Sequence, residues 1–302
     1  MIEVRGLRFG YRRSDELFAH FSWSAARGEV WSVLGPSGCG KTTLLYLLAG
    51  LRLPSSGSVE VDGEPVAGPR RSTGLILQDH GLLPWATADE NVALGLRIRG
   101  VPARRRAELV DLWMTRLGIA DVRRRYPWQL SGGQRQRVAI ARCLVLEPDL
   151  LLMDEPFASL DALTREDLQE LLLGLTVTAA NRPTVVLVTH DVAEAVLLGQ
   201  RVMVLPRPPI ADGLVLQNAL AGTPGYRLRT EFHETCLVVR SAVARARGAG
   251  RGLLADDRAP LAQGTATGKW LHSSQLVPST RHDVGALDLL RSASGEERGE
   301  CP

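Results

Sequence analysis

The stretch EVWSVLGPSGCGKTT, residues 29–43, decides the fold. An apolar run ends in a glycine-rich loop, and the loop opens into TTLLYLLAGL, a helical segment with no breaker before Pro54. Gly35 to Thr42 keep the spacing G-x-x-x-x-G-K-[ST] between strand and helix, the arrangement that cradles a phosphate chain. Gly35, Gly38 and Gly40 let backbone N–H groups turn inward. The helix N-terminus beneath them adds partial positive charge. Pro36, Ser37, Cys39 and Thr43 complete the loop. Thr42 offers a hydroxyl to Mg²⁺, and Lys41 places an ammonium between the β- and γ-phosphates. Of 36 basic residues, only Lys41 and Lys269 are lysine. Arginine's wide planar fork suits flat bidentate partners and does not fit inside a tight loop as a point charge. The chain keeps lysine where the geometry demands it.

Outward from this loop the pattern alternates. Residues 2–9 and 21–34 read as strands, and SGSVEVDG (56–63) as a hairpin with period-2 alternation. TGLILQ (73–78) is a buried strand, and 84–142 has a helical texture. DLLLMDEP (149–156) and PTVVLVTHD (183–191) are continuous apolar runs of the kind found in buried parallel strands. Helices at 162–175 and 191–199 and the strand RVMVL (201–205) close the series. Strands alternating with helices predict an α/β protein with a parallel sheet. The expected organisation is a core over 1–205 with a helical insertion at 79–142, then a short extension over 206–245. Residues 226–245 read as one amphipathic helix plus a strand. Residues 246–302, rich in small and charged residues, read as a disordered tail.

The bulk numbers restrict the function. A net charge of +3 does not argue for nucleic acid. The arginine runs 104–106 and 123–125 are short and read as solvated helix ends and turns. Cys39, Cys143, Cys236 and Cys301 form no C-x-x-C pair, so neither a zinc site nor a disulfide framework is indicated. No window approaches 18 uninterrupted apolar residues, so any membrane spans are expected from other chains. Cys39 inside the loop predicts that a thiol reagent blocks activity and that nucleotide protects.

A phosphate loop needs a second acidic strand, and DLLLMDEP supplies it. Asp154 at the strand end is placed to hold Mg²⁺ through its water shell. Glu155, one residue on, is placed to polarise the attacking water. LSGGQ (130–134) then opens the helix RQRVAIARCL. Ser131, Gly132 and Gly133 make a second helix N-terminus able to receive an anion, yet the chain has a single phosphate loop. The two features fit together if that helix end completes the site of another copy.

On these motifs the chain resembles the ATP-binding cassette (ABC) transporter ATPase subunits. The resemblance implies a P-loop NTPase (RecA-like) core with an antiparallel β subdomain and an inserted α-helical subdomain. It implies ATP and Mg²⁺ as cofactors. Gln78 resembles the Q-loop glutamine that senses Mg²⁺ and the attacking water, and Ser131–Gln134 the signature motif. Ser159-Leu160-Asp161 resembles the D-loop that crosses the dimer, and His190 the switch histidine on the γ-phosphate. Tyr11, or Phe9 as its rival, is expected to stack on adenine. The implied assembly is a head-to-tail homodimer on transmembrane permease subunits, served indirectly by a solute-binding protein. It would sit peripherally at the cytoplasmic face of the inner membrane. Leu82, Leu83 and Trp85 are candidates for the groove that meets the permease. LLPW…ENVALGL and LDALTR (160–165) are similar to importer ATPases of the nitrate, sulfonate and taurine group, with carriers of a thiamine-precursor pyrimidine as the second reading. The rival class is a soluble ABC ATPase in DNA repair or translation. The inserted coiled coil or second cassette of that class is not in the sequence.

Overall fold

The computed structural model describes residues 2–12, 15–158, 160–177, 182–248 and 270–276. In chain order, β1 (Ile2–Gly10), β2 (Glu16–Ala25) and β3 (Val30–Leu34) precede α1 (Lys41–Leu48). The hairpin β4 (Ser56–Val61) and β5 (Glu64–Pro65) follows, then β6 (Thr73–Ile76). The helical insertion holds α2 (Ala88–Ile98), α3 (Ala103–Arg116) and α4 (Gly132–Leu144). Then come β7 (Leu150–Asp154), α5 (Ala162–Val177), β8 (Thr184–Val188), α6 (Val192–Leu198) and β9 (Arg201–Val204). The chain ends with β10 (Leu214–Gln217), α7 (Thr230–Gly248) and β11 (Trp270–His272).

The strands make two sheets. One is antiparallel, in the order β2-β1-β4-β5. The other runs β11-β10-β9-β3-β8-β7-β6, parallel from β9 to β6 and antiparallel at β10 and β11. Its central strands read as apolar throughout because both faces are covered. Leu150, Leu152, Val186 and Val188 face a core shared with α1 and the antiparallel sheet. Leu151, Met153, Val185 and Leu187 face the core shared with the remaining helices. Successive side chains in a strand point to opposite faces, so two cores require two apolar sets in one run. Trp23 of β2 and Trp31 of β3 meet edge to face, with ring centroids 5.1 Å apart, where the two sheets press together.

Several expectations are corrected here. Residues 21–34 are two strands, not one, because Ala26–Glu29 turn through Gly28, whose φ of 75° lies in the left-handed region. The region 226–245 holds no strand. A 19-residue helix, α7, fills it, and the strand of the extension is β10, upstream. The sheet does not stop at residue 205, since β10 continues it beyond β9. Within 246–302, residues 246–248 finish α7, and 270–276 supply β11 and a short helical turn. The latter are clasped by Asp212, which accepts from the Ser273 hydroxyl at 2.6 Å and the Ser274 hydroxyl at 2.9 Å. The rest of the expected tail, 249–269 and 277–302, lies outside the described residues.

Candidate active site

The loop from Gly35 to Gly40 leaves the carboxyl end of β3, in the interior of the parallel sheet, where open α/β sheets place their ligands. Gly38 and Gly40 take φ of 75° and 98°, which a side chain tolerates poorly. A Cβ on Gly35 would stand 2.6 Å from the Cys39 Sγ and 2.8 Å from the Leu205 carbonyl oxygen. α1 begins with no side-chain cap and no acid in its first turn. Its first N–H groups are therefore left for a ligand. Lys41 is buried, and its Nζ donates to the carbonyls of Gly35 at 3.0 Å and Pro36 at 3.1 Å. The ammonium is folded back over the loop it serves, which is the geometry a guanidinium cannot copy.

The acidic pair stands across from the loop. Asp154 ends β7 and is buried, and burial raises its carboxyl above the ordinary range while a hydrogen bond from Thr42 opposes the rise. Thr42 and Asp154 thus present hard oxygens side by side, a donor set that suits Mg²⁺ completed by phosphate and water. Glu155 adopts φ of 45°. Its N–H still donates to the Val188 carbonyl at 2.9 Å, so the backbone pairs with β8 while the side chain turns out. A non-glycine residue held there costs on the order of 1 kcal/mol or more. That strain sits on the residue expected to be the general base. The Glu155 Oε2 lies 3.1 Å from the His190 Nδ1.

The residues on either side of His190 are fixed. Asp191 caps α6, its Oδ1 accepting the Ala193 N–H at 2.7 Å and the Glu194 N–H at 3.3 Å. The Thr189 hydroxyl donates to Glu194 at 2.6 Å. Burial raises the Glu194 carboxyl.

These groups enclose a cleft of about 590 Å³ lined by Tyr11, Lys41, Thr42, Glu155 and His190, among others. Tyr11 is 60% exposed, and its hydroxyl pairs with the Thr43 hydroxyl at 3.1 Å. Phe9 is buried behind it, edge-to-face at 5.2 Å. Between the two aromatics, Tyr11 is the one that faces the cleft. Ser37, Gly38, Gly40 and Thr43 also line it. Pro36 is buried beneath the loop. Cys39 is 1% exposed and burial raises its thiol, so the expected reaction with a thiol reagent is corrected: the sulfur faces the core.

The other predicted residues are not part of this cleft. Gln78 is exposed in the turn after β6. Ser131 caps α4, its hydroxyl accepting the Gln134 N–H at 3.2 Å while the Gln134 side chain accepts the Ser131 N–H at 3.0 Å. Gly133 lies against Thr164 of α5, where a Cβ would meet the Thr164 Cγ2 at 2.5 Å. Gly132 starts the helix beside it. Asp161 accepts the Thr164 N–H at 3.0 Å, which holds its carboxyl below the ordinary range. Ser159 lies outside the described residues. Conversely, Leu17, Val243 and Arg247 line the cleft without having been anticipated. No local motif marks them; the return of α7 onto α6 and β9 brings the last two there.

The geometry has counterparts among known proteins. Residues 18–158 match the family described as ABC transporter. The taurine import ATP-binding protein TauB of Chromobacterium violaceum is 51% identical over 188 residues, covering 62% of this chain and 71% of that protein. The protein of the same name from Yersinia pestis is 44% identical over 209 residues, covering 69% and 81%. The dimeric structure of the ATP-binding cassette MJ0796 in a post-hydrolysis state with ADP and Pi superposes with a TM-score of 0.62 at 30% identity, covering 68% of this chain and 94% of that one. A strand-loop-helix phosphate cradle, an acidic strand end beside it and this extent of identity lead to one conclusion: the chain belongs to the ABC transporter family as an ATP-binding subunit.

Proposed function

We propose that this protein hydrolyses ATP to drive import of a small sulfonate of the taurine class, as a head-to-tail homodimer seated on separate permease subunits. The observation that carries the dimer is the incompleteness of the cleft. One copy lines it with Lys41, Thr42, Glu155 and His190, and Asp154 stands behind Thr42, whereas its Ser131–Gln134 helix end is not among the residues that line that cleft. In an isologous pair each copy would close its twin's site, with Asp161 beside the contact. The taurine assignment rests on relatives bearing that name. A nitrate or thiamine-precursor pyrimidine carrier would share the same ATPase chemistry.

The residues divide the work. Lys41 and the loop amides bind the β- and γ-phosphates, and Tyr11 stacks on the adenine. Thr42 and Asp154 would hold Mg²⁺, with Gln78 of the turn after β6 as a further ligand, and the ion would supply charge neutralisation on the phosphates. Glu155 accepts a proton from the attacking water, and His190, oriented by its contact with Glu155, donates to the γ-phosphate. Little covalent work falls to the protein, so positioning and electrostatics make the rate.

The permease contact is assigned to Leu82, Leu83 and Trp85. Trp85 is 74% exposed, and Leu82 packs partly against the core. Among the described residues no helix is long and apolar enough to cross a membrane, which fits a peripheral subunit on the inner face. The test is copurification with a coexpressed permease of the taurine class and ATPase assays in lipid with its binding protein present. Taurine-stimulated turnover supports the reading. Full-rate hydrolysis by a protein that stays monomeric with ATP refutes it.

A further inference from the structure

The cleft has a wall that no motif supplies. α7 buries Val239, Ala242 and Ala246 in the core. Its last two turns bring Val243 and Arg247, one helical turn apart, into the cleft that holds Lys41, Glu155 and His190. The end of the helix is held in place. The Arg207 Nε donates to the Arg247 carbonyl at 3.0 Å, where a helix C-terminus collects uncapped carbonyls and favours a cation. The Arg247 guanidinium is left over: among the described residues no carboxylate pairs with it, whereas Arg227, in the turn before α7, is paired with Glu166.

The charge balance of the cleft says what such a group meets. The Lys41 ammonium is partly engaged by the Gly35 and Pro36 carbonyls. Glu155 lines the same cleft and adds negative charge to it. A bound triphosphate brings more, and its oxygens match the planar fork of a guanidinium better than any other group a nucleotide offers. We propose that Arg247 is a nucleotide-binding residue contributed by the C-terminal extension, its guanidinium pairing with phosphate oxygens of the nucleotide that Lys41 also holds. This rests on the reading of the cleft as an ATP site and deepens it. It also ties occupancy of the site to the extension, because α7 packs on α6, whose N-cap is Asp191, next to His190.

The test is equilibrium binding to the full-length protein. The ligands are a non-hydrolysable ATP analogue, ADP, and adenosine measured by displacement of a fluorescent ADP. Arg247→Ala is expected to weaken the ATP analogue and ADP by about tenfold and to leave adenosine unchanged. Arg247→Lys recovers part of the loss. Arg245→Ala, on an exposed position of the same helix outside the cleft lining, binds like the parent and controls for net charge. Arg247 is exposed, so the melting temperature of its variants stays at the parent value. An equal loss for adenosine would place Arg247 on the base or ribose and overturn the phosphate pairing. Parent-like affinity in Arg247→Ala, with binding lost in Lys41→Ala, would overturn the role of Arg247 alone. Parent-like affinity in both would overturn the reading of the cleft itself.

Discussion

Replacing Asn91 by alanine tests whether one buried amide builds the surface proposed above to meet a permease. Asn91 is fully buried in the first turn of α2. Its Oδ1 accepts the Leu83 N–H at 2.8 Å. Its Nδ2 faces the carbonyls of Leu83 at 3.1 Å, Ala86 at 3.0 Å and Thr87 at 3.0 Å. An amide has two hydrogens for those three acceptors, so the side chain is worth about three hydrogen bonds in all. At roughly 1 kcal/mol each, plus the cost of leaving the Leu83 N–H without its partner, the loss comes to about 3–4 kcal/mol. For a domain of this size that is a fall in melting temperature of about 6–16 °C. Asn91→Asp should fall as far, since it keeps the acceptor and sets a charge against three carbonyls. The phosphate loop is distant in the fold, so nucleotide affinity of the purified subunit is expected to hold while stimulation by the permease is lost. Thermal unfolding and ATPase in lipid read the two effects separately. A variant that melts within about 2 °C of the parent and is still stimulated would refute the idea that this amide organises residues 82–87.

Other outcomes follow from the site. Glu155→Gln should lower turnover by about a hundredfold or more, near 3 kcal/mol of barrier, while nucleotide still draws two copies together; normal single-turnover hydrolysis would remove Glu155 as the base. Native Glu194 holds its proton to higher pH than the unfolded chain does, so its ionisation costs stability as pH rises out of the ordinary carboxylate range. Glu194→Gln keeps an acceptor for the Thr189 hydroxyl and cannot ionise. Its melting temperature should exceed the parent's at about pH 7 and converge with it at about pH 4, and a constant difference across that range would contradict the assignment. Cys39 should resist alkylation in the native protein with or without nucleotide and react on unfolding, as peptide mapping would show; rapid native labelling would mean that the loop opens.

How much was legible follows from the range of the interactions involved. Residues 29–43 could be read directly because strand, loop and helix are contiguous and each glycine answers a local demand of the backbone. The apolar runs at β7 and β8 were equally plain, since a strand covered on both faces has no polar positions to hide it. Asp154, Glu155 and His190 stand at the ends of those runs, so their positions came with the strands. The break at Arg27-Gly28-Glu29 was passed over because the residues on both sides of it carry strand-like apolar positions. Tyr11 was preferred over Phe9 in the sequence, and burial separates them: Phe9 lies in the core and Tyr11 at the cleft. Cys39 read as reactive because its neighbours are loop residues, and only packing against Gly35 turned its sulfur inward.

The linear order of residues determined the chemistry: a phosphate cradle, a paired acid and a histidine, each set by spacing along a few turns or one strand. Tertiary structure decided which elements meet. It carried α7 back so that Arg247 faces the same cleft as Lys41, and it kept Ser131 out of the cleft that its own chain builds. Those contacts join segments more than a hundred residues apart in some cases. Their stability comes from buried area and hydrogen bonds that exist only once the sheet has formed, so no local pattern encodes them.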